Sequence, residues 1–323
     1  MIQTHNLIIN SVYTSTPKKL INSEEIIKDL QDEKEYFQES YKKFGIYNRY
    51  VSGPEENFED LSLEACSNLF QKSRISPSEI SLLVVVSQTS SSRLPNSGHV
   101  IQNSLGLDKN CIIFDLNDGC NGYINGLILM NRFLKKDERG LLIAGDLMSQ
   151  YTHNDDISNK LLMGDAVSGT IVTKSDNKCG SFIIKNDGSS AYSIRLEKKD
   201  QTLNFQMDGF KVFSFTMGKI PKLIKSFVSD LNESFEDYDY LVPHQANMIL
   251  LENIRKKLKL QTEDFLYSLK DYGNTGPASI PVTLSTNKVK EGSKILLIGF
   301  GAGLSWGAIS FNEFSGGCLN YLE

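Results

Sequence analysis

Phe114-Asp115-Leu116-Asn117-Asp118-Gly119-Cys120-Asn121-Gly122-Tyr123-Ile124-Asn125-Gly126-Leu127 is the stretch from which the fold is read. Cys111-Ile112-Ile113-Phe114 enters it as an apolar run, the pattern of a short buried strand. A tight Asp-Gly turn follows, and apolar residues at helical spacing leave through Tyr123, Leu127 and Met130. Cys120 therefore falls where a strand hands over to a helix. A thiol there faces the orphan N–H groups and positive dipole end of a first helical turn. That environment favours the thiolate, the nucleophilic form. Taken alone, the same cysteine also reads as a small buried core residue, and the rest of the chain decides between the two.

Working outward, Ser81-Leu82-Leu83-Val84-Val85-Val86 is a continuous apolar run of strand length, typical of a parallel sheet covered on both faces. Between it and the cysteine strand lie a polar loop, Ser87 to Asn96, and a helix to about Leu105. Upstream, residues 1–20 suggest a strand or two. Asn22-Ser23-Glu24-Glu25 caps a helix through about Gln38, Leu61 to Ser73 reads as another helix, and Ser76-Pro77-Ser78-Glu79 as a further start. The C-terminal half repeats this plan: a strand from Tyr238 to Val242, a helix from Gln245 to Leu260, then an extended segment near Phe265 leading into Asp271-Tyr272-Gly273-Asn274. Gly140 to Asp146 corresponds to Lys294 through Phe300, and Gly164 to Val172 to Gly303 through Phe311. The first half carries an extra loop, Leu147 to Leu162. An internal duplication of a mixed β/α unit accounts for these matches. The boundary falls in the polar run Thr173 to Lys178, giving halves 1–175, with Cys120, and 176–323, with His244 and Asn274. Each of those three residues follows a predicted strand, so the duplication predicts that they converge where ligands gather in such sheets.

The chain has 323 residues, 40% hydrophobic and 23% charged, the balance of a globular protein with room for a large shared core. A net charge of -5 with no basic domain argues against a nucleic-acid partner. Five cysteines at irregular spacing suggest neither a disulfide framework nor a metal site. No signal-peptide pattern precedes Lys18-Lys19, and no apolar stretch approaches membrane-span length. A cytoplasmic protein is the expectation.

Two further segments, Leu241-Val242-Pro243-His244-Gln245-Ala246-Asn247 and Asp271-Tyr272-Gly273-Asn274-Thr275-Gly276-Pro277-Ala278-Ser279, join the cysteine turn in chain order. Together the three resemble the active-site signature of the 3-oxoacyl-[acyl-carrier-protein] synthase III family, ketosynthases of the thiolase superfamily. Gly299-Phe300-Gly301-Ala302-Gly303-Leu304-Ser305-Trp306-Gly307 resembles that family's closing glycine-rich strand pair. The resemblance implies the thiolase fold, an α/β architecture of two duplicated mixed-sheet halves in a layered αβαβα arrangement. It also implies a β-ketoacyl-ACP synthase III-like condensing enzyme. Cys120 would take an acyl group from a thioester, an exchange suited to a thiolate because the product is another thioester. His244 and Asn274 would donate to the oxygen of the enolate left when a malonyl thioester loses carbon dioxide, and the carbanion would attack the acyl group to give a 3-oxoacyl thioester. By the same resemblance the amides of Cys120 and Ala302 form the oxyanion hole, Asn247 holds the pantetheine arm, and Leu94 limits acyl length, often across a homodimer interface. The implied partners are acyl carrier protein and acyl-CoA, with no cofactor and no metal.

Individually these residues have plainer readings: His244 as a satisfied structural histidine, Asn274 as a turn residue, Trp306 as core. Several positions also depart from the family pattern. No tryptophan stands before Gly45-Ile46 to grip a CoA nucleotide, leaving Tyr36, Phe37 or Tyr41 to stack there, or a carrier-protein donor instead. Positions that often carry carrier-docking cations hold Ile249 and Ser214. Arg255, Lys256, Lys257 and Lys259 either replace that basic face or complement their own helix's C-terminal dipole. The alternative function is an acyltransferase of the same family, moving the acyl group to an alcohol or amine without carbon–carbon bond formation. Papain-like proteases share the order Cys, His, Asn, but Asp-Gly-Cys-Asn-Gly is unlike their cysteine context. A non-catalytic partner subunit would tend to lose the nucleophile, and Cys120 is present.

Overall fold

The computed structural model describes residues 1–28, 30, 33–91, 94–152, 155–199 and 202–320. Two sheets dominate it. One has six strands in the order Gly317–Cys318, Leu7–Ser15, Ala166–Lys174, Arg139–Asp146, Ile80–Val86, Ile112–Leu116; the other has five, Gln3–His5, Gly180–Asn186, Ser305–Phe314, Ser293–Gly301, Tyr240–Pro243. In each, a parallel pair is extended by an antiparallel pair: Ile80–Val86 lies parallel to Arg139–Asp146 and Tyr240–Pro243 parallel to Ser293–Gly301. Ala166–Lys174 and Ser305–Phe314 then run antiparallel beside them. The counterpart of Ile112–Leu116 in the second half shrinks to one bridge, Leu241 to Phe265. Each terminal strand crosses over: Gln3–His5 pairs with Gly180–Asn186, and Gly317–Cys318 with Leu7–Ser15.

The near-continuous apolar strands demand cover on both faces. The helices Gly122–Phe133 and Ser279–Thr286 lie between the sheets and touch both. Phe58–Ser73 and Ser97–Leu105 cover the outer face of the first sheet, and Gly209–Asp230 with Met248–Leu258 that of the second. Three apolar clusters follow from these layers. Leu82, Val84, Leu127, Leu284 and Leu297 fill the centre, Leu69 and Leu83 one outer layer, and Ile224, Phe227 and Leu296 the other.

Some local expectations are corrected. The helix read from Asn22 to about Gln38 is two, Ser23–Ile27 and Lys34–Phe44, the second closed by left-handed Gly45; its residues 29, 31 and 32 lie outside the described residues. So do 92 and 93 of the Ser87–Asn96 loop and 153 and 154 of the extra loop. The Ser76 start yields one 3-10 turn, because the strand begins at Ile80. The cysteine strand is not buried. It is the sheet edge, paired among the described residues only with Ile80–Val86, and Ile112 is 46% exposed. The helix expected from Gln245 starts at Met248, because the Gln245 side chain is bonded instead to the Pro243 and Leu266 carbonyls and the Ser268 amide.

Candidate active site

Cys120, His244 and Asn274 line one cavity of about 470 Å³, together with Asp146, Asn247, Phe300, Gly301 and Ala302. The strand ends explain the meeting. His244 directly follows Tyr240–Pro243 and its amide donates to the Ile298 carbonyl at 2.7 Å, which ties it to the neighbouring strand. Cys120 precedes the central helix, whose first turn is drawn tight by Gly122 N–H donating to Gly119 O at 2.7 Å. Asn274 is clamped from the first half: its amide donates to the Leu162 carbonyl at 2.9 Å and its carbonyl accepts from Gly164 N at 3.0 Å. The extra loop therefore fixes one of the three residues as well as lining the cavity with Met148, Asn159 and Leu162.

Orientation is equally specified. The Asn274 side-chain oxygen accepts from the Gly276 amide at 3.1 Å, so its NH2 group is the part left to donate elsewhere. His244 Nδ1 bonds Ser279 Oγ at 2.7 Å, and Phe300 stands edge-on to the ring, centroids 5.2 Å apart. Burial lowers the imidazole pKa to about 3, against an opposing hydrogen bond at Gly276. His244 is thus neutral at any working pH, a donor or acceptor without charge.

The sulfur behaves otherwise than expected at the helix N-terminus. Burial first, then the charges of Asp146 and Asp118, push the Cys120 thiol up to about 12; hydrogen bonds from its own amide and that of Ala302 oppose this. The cavity reaches the side chain, which is partly exposed although it lies deep among protein atoms. Desolvation outweighs the partial charges of one helix end, so the resting sulfur is a thiol and needs a proton acceptor. The same two amides that face the sulfur are the pair a tetrahedral oxyanion beside it would meet.

Glycine keeps this approach open. A Cβ on Gly301 would sit 2.6 Å from Cys120 Cβ and 2.9 Å from its sulfur. Gly301→Ala is therefore expected to displace the thiol and slow acyl-enzyme formation by about 10²-fold, the usual cost of a misplaced reacting group, with mass spectrometry of the intact protein over time as the check.

The remaining expected site residues sit less simply. Asn247 lines the cavity, but its side-chain oxygen also caps the next helix by accepting from Leu250 N at 2.9 Å. Leu94 is 90% exposed and is not among the cavity-lining residues of this single chain. Phe37 and Tyr41 are buried, Tyr41 donating to Glu24, which leaves Tyr36 as the exposed ring of the three. Arg255 donates to Glu252 and to the Leu260 carbonyl at 2.7 Å, and Lys257 to the Met217 carbonyl at 3.0 Å. Of the four basic residues, those two are committed to local partners. The hairpin Ile194–Lys199 and Thr202–Met207 was not anticipated, yet Ile194, Phe205 and Met207 wall the cavity. Its alternation, Leu203-Asn204-Phe205-Gln206-Met207, was the available signal. Thr216 was missed too, and its buried hydroxyl has no partner at the cavity wall among the described residues.

Comparison with known proteins bears on the family and the fold. Residues 114–191 match the 3-oxoacyl-[acyl-carrier-protein (ACP)] synthase III profile, and 229–312 match its C-terminal counterpart. A β-ketoacyl-[acyl-carrier-protein] synthase III of Clostridium perfringens (strain 13 / Type A) is 30% identical over 312 residues, 91% of this chain and 95% of its own length. One from Lactococcus lactis subsp. lactis (strain IL1403) is 29% identical over 327 residues, 94% of this chain and 98% of its own. The crystal structure of a 3-oxoacyl-(acyl-carrier protein) synthase from Burkholderia xenovorans LB400 superposes with TM-score 0.90 at 27% identity, covering 100% of this chain and 98% of that one. The two-sheet, five-layer architecture is accordingly the thiolase fold. The chain belongs to the 3-oxoacyl-[acyl-carrier-protein] synthase III family.

Proposed function

We propose that this condensing enzyme carries an acyl group on Cys120 and joins it to a malonyl thioester by decarboxylative Claisen condensation. The observation that carries the reading is the shared cavity, in which one thiol, one neutral imidazole and one carboxamide meet. Cys120 is the nucleophile. The Cys120 and Ala302 amides hold the oxyanion of the tetrahedral intermediates, since both already face the sulfur. His244 and Asn274 donate to the thioester oxygen as carbon dioxide leaves; Ser279 and Gly276 hold them in register. Two neutral donors suit a charge that is absent in the ground state and appears only as the bond breaks. The test is carbon dioxide release from a malonyl thioester, with and without an acyl group on Cys120. A chain that acylates Cys120 and never releases carbon dioxide would refute condensation.

The donors in this reading are acyl-CoA or acyl carrier protein, and the extender is malonyl-carrier protein. The thioester supplies all the reactivity, so no cofactor takes part. Asn247 holds the pantetheine arm, its cavity position supporting this. The halves divide at 175/176, with both terminal strands exchanged. The working form is a cytoplasmic homodimer. An open strand edge is a liability that pairing removes, and Ile112–Leu116 presents one beside exposed Ile112 and Phe133. Leu94 lies on the same flank, where Asn96 Nδ2 donates to Asp115 Oδ1 at 3.0 Å, and closes the partner's acyl pocket. Sedimentation is expected to give a dimer, and Ile112→Asp to shift it toward monomer at micromolar concentration.

A further inference from the structure

Asp146 is a charged group inside the cavity to which the reaction above gives no task. It ends the strand Arg139–Asp146 and is 1% exposed. Its Oδ1 is saturated: it accepts from Ser87 Oγ at 3.0 Å, Gln88 N at 2.7 Å, and Thr89 N and Oγ1 at 3.1 and 3.0 Å. Its Oδ2 has no hydrogen-bond partner among the described residues. The unpartnered oxygen is itself buried, beside Gly276, where a Cβ would come to 3.0 Å from it. A buried carboxylate with four donors on one oxygen and none on the other is costly unless the bare oxygen is used.

We propose that Asp146 Oδ2 is the proton acceptor for the Cys120 thiol during acyl loading, the two residues lining one cavity. The inference rests on Cys120 being the acylated nucleophile. As the sulfur bonds to the donor's thioester carbon, the S–H proton passes to Asp146. As the intermediate collapses and the donor's carbon–sulfur bond breaks, that proton passes to the departing sulfur. Cys120 is left acylated, the donor thiol is released, and Asp146 is again ionised. The other titratable groups around it fit no better. His244 is held neutral with its pKa about 3, too weak a base. Asp118 is bonded to Asn125 and Gly119. Tyr151 is raised by burial and by Asp146 itself. Burial lifts Asp146 to about 7 in spite of its four donors, near the value at which a general base is most effective.

The experiment is the rate of Cys120 acylation by a short acyl-CoA thioester in wild type, Asp146→Asn and Asp146→Glu, followed by mass spectrometry from pH 5 to 9. A purely electrostatic role and a proton-accepting role predict opposite signs. If Asp146 only repels the thiolate, its neutralisation eases ionisation of Cys120 and loading speeds up. As the acceptor, its loss slows loading at pH 7.5 by about 10²-fold, the lower end of the usual range for a lost general base. Wild-type loading should rise through pH ~7 and level off, Asp146→Asn should keep rising with hydroxide across the whole range, and Asp146→Glu should recover part of the rate. Equal or faster loading in Asp146→Asn overturns the proposal. If that variant does not fold, a wild-type profile without an inflection near pH 7 does so. Label on a residue other than Cys120 would instead overturn the reading of Cys120 itself.

Discussion

Cys120→Ala is expected to lose the acyl-enzyme completely, and condensation to fall at least ~10⁴-fold, the scale on which removal of a covalent nucleophile is felt. No other cysteine lines the cavity among the described residues. Cys66 and Cys111 are buried in the apolar cluster on the outer face of the first sheet, away from the cavity. Neither can substitute. The variant keeps His244 and Asn274 and the bonds that position them, so malonyl thioester should still bind and lose carbon dioxide. The measurement pairs intact-protein mass with carbon dioxide release. A surviving acyl adduct, or condensation within tenfold of wild type, would remove Cys120 from its assigned role.

The second large effect separates the two half-reactions in the opposite sense. His244→Ala and Asn274→Ala are each expected to slow carbon dioxide release by ~10²–10³-fold, about 2.7–4 kcal/mol of transition-state stabilisation per lost donor. Their double replacement should reduce it to background, because neither side-chain donor then remains to meet the enolate oxygen. Acylation of Cys120 should survive in all three variants, since its oxyanion is met by backbone amides. His244 also sets a pH expectation. Its pKa is lowered to about 3, so the imidazole stays neutral from pH 5 to 9 and the decarboxylation step should show no loss of rate near pH 6.5. A fall there with a histidine-like midpoint would mean that the ring titrates at its ordinary value and is not desolvated. Acylation without any carbon dioxide release in the wild type would point instead to acyl transfer to an alcohol or amine.

Much of this was legible beforehand because the relevant signals are local. A strand reaching a tight turn and a helix is written in consecutive residues at Asp118-Gly119-Cys120, and the second half repeats the device with other functional side chains. Duplication then implies that strand ends converge, and the cavity lined by Cys120, His244 and Asn274 has that form. Where local reading failed, a side chain was bonded at long range. Gln245 looked like the first turn of a helix, but its amide is used to hold Ser268. The Ile194–Met207 hairpin was overlooked although its alternation was visible, because nothing nearby in sequence tells that it faces the pocket.

The sequence by itself determined the doubled α/β plan, the family, and the three side chains proposed to carry the chemistry. Periodicity, turn residues and motif order need only neighbours along the chain. The tertiary structure alone decided the electrostatics. Cys120 was expected to be an easily formed thiolate at a helix end, yet desolvation and the charges of Asp146 and Asp118 push it up to about 12. Asp146 is one acidic residue among many until folding buries it with one oxygen saturated and the other bare. Burial and charge proximity sum over residues distant in sequence, and a pKa is set by that sum.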